Sequence, residues 1–83
     1  MATKKTKRSR SSLTELRRVL GKTQVEVAAA GGFHQGDLSK LERREDLGDV
    51  ALTTLRRYVE ALGGELRIVA LVRGKEVELR GAD

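Results

Sequence analysis

The stretch Gln24 to Arg43, QVEVAAAGGFHQGDLSKLER, constrains this chain more than any other. It holds two helical patterns separated only by a pair of glycines, so the helices must meet at a tight corner. Thr23 can cap the first helix, and Glu26 completes a capping box with it. Val27, Ala28 and Ala30 give that helix a small apolar face. Gly31 and Gly32 end it, because glycine accepts the left-handed backbone of a sharp turn. Phe33 is expected to plug the corner, and His34 stands at the cap of the second helix. Leu38 and Leu41 share one face of that helix. Gln35, Gly36, Asp37, Ser39, Lys40 and Arg43 lie elsewhere on it, mostly polar and of DNA-contacting type. This is the layout of a helix-turn-helix whose second helix enters the major groove.

The rest of the chain is read around that stretch. At 83 residues it forms one domain near the small end of what folds alone. There is no proline and only one Phe and one Tyr, which fits short helices better than a β-sandwich. The absence of cysteine excludes a disulfide framework and a thiolate metal site. No apolar run reaches membrane-spanning length, and the basic N-terminus lacks the apolar core of a signal peptide; the chain reads as cytoplasmic. Lys4, Lys5, Lys7, Arg8 and Arg10 account for the whole formal net charge of +5. Residues 1–11 are thus expected to form a basic, disordered tail that favours a polyanion such as DNA; the other reading of it is a solubilising leader.

Residues 12–63 carry the helical domain. Ser12 and Glu15 form another capping box, and Leu13, Leu16 and Leu20 repeat with helical spacing until Gly21. After the two central helices, Glu45 to Ala51 reads as a loop. Thr53 or Thr54 is expected to cap a fourth helix, with Leu55, Val59 and Leu62 inward, Tyr58 beside them, and Gly63 and Gly64 as its stop. In residues 64–83 the pattern changes to a β-hairpin: a strand over Glu65 to Val72, a turn over Arg73 to Glu76, and an alternating strand with Val77 and Leu79. Ile68 to Val72 is apolar on both faces. A small domain cannot cover both, so Ile68, Val69, Leu71 and Val72 are the expected dimerisation residues. The competing reading is a hairpin that closes over its own helices.

The same residues carry a family resemblance. TQVEVA, Gly32 and HQGDLSKLERR resemble the first helix, turn glycine and recognition helix of the Xre-type helix-turn-helix of phage repressors and Cro. Gly31 departs from that pattern, standing where an apolar residue is usual, and this predicts a loosely packed turn. TTLRRYVEALGGELRIVALV resembles the C-terminal part of HigA-type antitoxins. The resemblance spans Leu13 to Val72. The fold it implies is mainly α: a lambda-repressor-like domain of four short helices with a C-terminal β-hairpin.

Roles follow from the chemistry and from the resemblance together. A glutamine amide can bond adenine N6 and N7 at once. The resemblance implies that Gln35 reads a base in this way and that Gln24 holds a backbone phosphate; Gln24 could instead be only a polar first-turn residue. Gly36 sits where a second base-reading side chain is usual, so either a base goes unread or a close backbone approach matters. Lys40 can reach guanine or a phosphate. His34, Ser39, Arg43 and Arg44 are expected phosphate contacts, which set register without reading sequence. Asp37 is expected to favour the helix N-terminus or to accept from a cytosine amino group. Arg17 and Glu42 match a family ion pair that fixes helix orientation, the other reading being two solvated charges.

No nucleophile–base set, phosphate loop or dinucleotide fingerprint is visible, and the lone His34 lacks fellow ligands; no enzyme, cofactor or metal is expected. The expected function is sequence-specific binding of double-stranded DNA by a homodimer that represses transcription. The antitoxin resemblance implies a further role, neutralising a small ribonuclease toxin and autoregulating the shared operon. The alternatives are a nonspecific nucleoid-type DNA-binding protein, and a protein-interaction module that only neutralises a toxin.

Overall fold

The computed structural model describes residues 12–79. The basic tail expected over residues 1–11 and the hairpin's last residues, 80–83, lie outside the described residues. Four helices, α1 (Leu13–Val19), α2 (Gln24–Gly31), α3 (Gln35–Arg43) and α4 (Leu52–Ala61), precede a hairpin of β1 (Val69–Val72) and β2 (Lys75–Glu78).

Both expected capping boxes form. Ser12 Oγ accepts from Glu15 N at 3.1 Å while Glu15 Oε1 accepts from Ser12 N at 3.1 Å. Thr23 and Glu26 repeat the arrangement at 3.1 and 2.8 Å. Each box satisfies amide groups that a helix start leaves unpaired. At the far end of α2, Gly32 takes φ 72°, and the Phe33 amide reaches back to the Ala28 carbonyl at 2.9 Å. This bond closes the corner that the glycine pair demanded.

The corner is tightly packed, contrary to the expectation from Gly31. A Cβ on Gly31 would lie 2.7 Å from the Phe33 ring and 3.2 Å from Ala61 Cβ. The Phe33 ring fills the space that a larger residue would occupy. Arg57 of α4 then locks it: its guanidinium lies 4.3 Å from the Phe33 ring centroid and donates to the carbonyls of Gly31 and Gly32 at 3.1 and 3.0 Å. A cation over an aromatic face and at a helix C-terminus is favourable on both counts.

The core is made by Val27 and Ala28 of α2, Leu38 and Leu41 of α3, and Tyr58 and Leu62 at the end of α4, with Leu13, Phe33, Val50 and Ala61 at its margin. Three expectations need correction. Ala30 is exposed, because the face of α2 that meets α3 and α4 is only as wide as Val27 and Ala28. Tyr58 is fully buried at the centre, whereas Leu55 and Val59 are only half-buried. Neither Thr53 nor Thr54 caps α4. Ala51 holds that position without a side-chain bond, because a turn from Leu47 to Val50 delivers the chain into the helix before either threonine. In α1, only Leu13 reaches the core; Leu16 and Leu20 stay partly exposed, and Val19 is 83% exposed.

The hairpin turns more tightly than expected. Arg73 and Gly74 alone make the loop, at φ 53° and 79°, the positive pair required by a two-residue loop whose twist suits the strands. Lys75 and Glu76, expected in the turn, belong to β2, and regular pairing begins at Val69 rather than Glu65. The register pairs Val69 with Glu78, Ala70 with Val77, Leu71 with Glu76 and Val72 with Lys75. One face therefore carries Ile68, Ala70, Val72, Val77 and Leu79; the other carries Val69 and Leu71 beside two glutamates. The protein's own helices leave much of both faces open: Leu71 is 68%, Val72 58% and Val77 50% exposed.

Candidate nucleic-acid interface

The candidate interface begins with one buried carboxylate. Glu42 faces inward from the end of α3, next to Leu38 and Leu41. Arg17 of α1 grips it with both arms, Nε on Oε2 at 2.7 Å and Nη2 on Oε1 at 3.0 Å, in the fork geometry that suits a carboxylate. The Tyr58 hydroxyl donates to Oε2 at 2.6 Å, with the Leu13 carbonyl as a second acceptor at 3.0 Å. The Gln24 amide and the Thr14 hydroxyl complete the shell on Oε1 at 2.9 and 3.2 Å. All four helices thus meet at one anion, and the expected Arg17–Glu42 pair is buried rather than solvated, with side chains 10% and 2% exposed.

The electrostatics follow from that shell. Burial alone would push the Glu42 carboxyl up. The bonds from Arg17, Tyr58 and Gln24, with the Arg17 charge, outweigh burial and hold it at about 2. Burial and the bond to Glu42 push the Tyr58 hydroxyl well above its usual range. Both groups keep one protonation state at neutral pH, so α3 is held by a fixed charge pattern.

With its inner side anchored, α3 turns the expected residues outward. Gln35, Gly36, Asp37, Lys40 and Arg43 are exposed along it, and His34 and Arg44 are exposed at its ends. Ser39 and Gln24 are half-buried where α3 meets the start of α2, and the Ser39 hydroxyl donates to Gln24 Oε1 at 3.1 Å. Arg44 also lies 3.9 Å from exposed Asp49, a contact of little energetic weight. His34 holds the cap position of α3 but makes no side-chain cap bond, so capping through its ring does not explain it. Among the described residues no group of three or more His, Cys, Asp or Glu could hold a metal ion, and no helix is long and apolar enough to cross a membrane.

Gly36 stands apart. Its backbone is helical without positive φ, and an added Cβ would meet nothing within 4 Å. Neither strain nor packing requires glycine there. Gly36→Ala is expected to raise stability by about 0.5–1 kcal/mol, the usual gain in a helix. A urea titration with a lowered midpoint would contradict this.

Three contributors escaped the sequence reading: Tyr58 as a ligand of Glu42, Thr14 on the same carboxylate, and Arg57 on the Phe33 corner. Tyr58 left a faint signal. The only tyrosine lies four residues before Leu62 on the apolar stripe of α4, and a buried hydroxyl needs a partner.

A four-helix unit with a tight glycine corner, a buried arginine–glutamate clasp and an outward polar helix defines a repressor-type helix-turn-helix domain, here with a C-terminal hairpin. No protein-family model matches the chain. Individual relatives do. The chain is 50% identical over 68 residues to a Mycobacterium tuberculosis protein bearing the name antitoxin HigA3, covering 81% of this chain and 62% of that protein. It is 48% identical over 56 residues to one bearing the name antitoxin HigA2 from the same organism, covering 68% and 54%. The chain therefore spans less than two thirds of the length of these two relatives. Among solved structures, a chain described as "Induced DNA bending by unique dimerization of HigA antitoxin" matches with a TM-score of 0.78 at 45% identity, covering 90% of this chain and 96% of that one. Another, "DNA bound antitoxin HigA3", matches with a TM-score of 0.79 at 46% identity, covering 88% and 94%. The chain belongs to the HigA antitoxin family.

Proposed function

We propose that this protein is a DNA-binding antitoxin that represses its own operon as a homodimer, acting in the cytoplasm as a binding protein rather than an enzyme. The observation that carries this reading is the outward polar face of α3, held by the Glu42 clasp, in a fold shared at 46% identity with a chain described as a DNA-bound antitoxin. In this reading α3 lies in the major groove. Gln35 reads a base, Gly36 lets the helix backbone approach the base edges, and Lys40 reads beside it. Gln24, His34, Arg43 and Arg44 hold phosphates. The open hairpin faces, with Ile68, Val69, Leu71 and Val72, pair two copies. A small ribonuclease toxin is the expected protein partner, and the basic residues 1–11 add nonspecific attraction to the duplex.

The test compares binding of the full chain to its own promoter fragment and to random duplex at physiological salt. A specificity ratio of at least about 10³ is expected. Equal affinity for both would indicate nonspecific, nucleoid-type binding, and no binding to either would leave only protein interaction.

A further inference from the structure

Glu42 has a consequence beyond holding α3. A carboxylate fixed at about 2 has no hydrogen to give at neutral pH. The end of the Gln24 amide that meets Oε1 at 2.9 Å must therefore be its NH2 group. This forces the other end, the carbonyl oxygen, toward Ser39. A carbonyl only accepts, so the Ser39 hydroxyl at 3.1 Å must turn its single hydrogen to Gln24. Ser39 is left with lone pairs alone for any outside partner. Gln24 keeps one amide hydrogen that Glu42 does not use.

We propose that the buried Glu42 carboxylate, acting through Gln24, sets the hydrogen-bond polarity of the recognition surface: Ser39 accepts from an exocyclic amino group of adenine or cytosine, and Gln24 donates to a phosphate. This rests on the DNA-binding function proposed above. It moves Ser39 from the phosphate-holding set to the base-reading set. A phosphate oxygen accepts and cannot donate, so Ser39 as oriented has nothing to offer it. The donors displayed in the major groove are adenine N6 and cytosine N4. Turning the hydroxyl outward would leave the half-buried Gln24 carbonyl without its partner, which opposes the reversal. Glu42 is a positioning residue here, since it touches no DNA.

The test uses the full chain. A preferred duplex is first selected from a randomised library by the unaltered protein. Ser39→Ala and Gln24→Ala are then titrated against that duplex and a scrambled one, and each variant repeats the selection. Ser39→Ala should lose about three- to tenfold affinity on the selected duplex, as for one hydrogen bond, and little on the scrambled one. Its selection should relax at one base pair. Gln24→Ala should lose affinity on both duplexes, and its selection should relax at that same base pair, because the freed hydroxyl can turn. Equal loss on both duplexes for Ser39→Ala, or no loss on either, overturns the assignment. So does a Gln24→Ala variant whose base preference is intact. An unaltered protein that selects no sequence would overturn sequence-specific DNA binding itself, and that outcome appears before any variant is made.

Discussion

Glu42→Ala is expected to destabilise the domain by about 3–5 kcal/mol, the usual cost of stranding a buried charge. The substitution removes the acceptor for Arg17, Tyr58, Gln24 and Thr14 together. Small domains have little stability in reserve, so the variant should be largely unfolded at 37 °C. Replacing both charges with apolar side chains, Arg17→Met with Glu42→Leu, should cost less than Glu42→Ala alone, because no charge is then unpaired. Urea unfolding of the two variants makes the comparison. A loss below about 1 kcal/mol for Glu42→Ala would place the pair with ordinary surface bridges. The same clasp governs acid stability. The Glu42 carboxyl has a lower pKa folded, about 2, than its ordinary value of 4.5, so the folded state binds fewer protons in between. The contribution, about 3 kcal/mol, is complete above about pH 5 and is lost as pH falls toward 2.

The second large effect concerns association. One recognition helix covers too few base pairs to define a unique site, and a two-fold pair of them places half-sites about 34 Å apart or a multiple of that. In the proposed dimer, the hairpin is the surface for such pairing. Leu71 and Val72 lie on opposite faces, and each is more than half exposed. An aspartate at either position should leave the monomer's helices intact. At the face that forms the dimer contact, it should weaken association by about 3–5 kcal/mol through an unpaired buried charge. Sedimentation should then show a monomer with an unchanged helical spectrum and no promoter binding. If both variants remain dimeric, the contact lies elsewhere, with exposed Leu16, Val19 and Leu20 of α1 as the next apolar surface. Loss of the helical spectrum would instead place the hairpin in the monomer's own core.

The legibility of the sequence followed the range of each interaction. The Ser12–Glu15 and Thr23–Glu26 boxes are visible because both partners lie within one turn. The Phe33 corner was read as a plug, but its tightness was not, because it depends on Ala61 and Arg57 arriving from α4. Arg17–Glu42 came from family resemblance; nothing local ties residues in α1 and α3. The Gln24–Ser39 bond was invisible for the same reason, and the Tyr58 ligation left only the faint signal of a lone tyrosine on the apolar stripe of α4. The hairpin turn was overextended because Lys75 and Glu76, polar residues of an open strand, have the composition of a loop.

The proposed DNA reading runs through the outward face of α3, and Gln35 is the first side chain on it. Gln35 is exposed in the first turn of α3, so removing its amide should disturb no packing. Binding of Gln35→Ala is measured against the promoter duplex and against random duplex at one fixed salt concentration. The expected result is a loss of about 1–3 kcal/mol on the promoter alone, with relaxed preference at one base pair, as when a bidentate adenine contact disappears. An equal loss on both duplexes, or none on either, would contradict base reading by this helix.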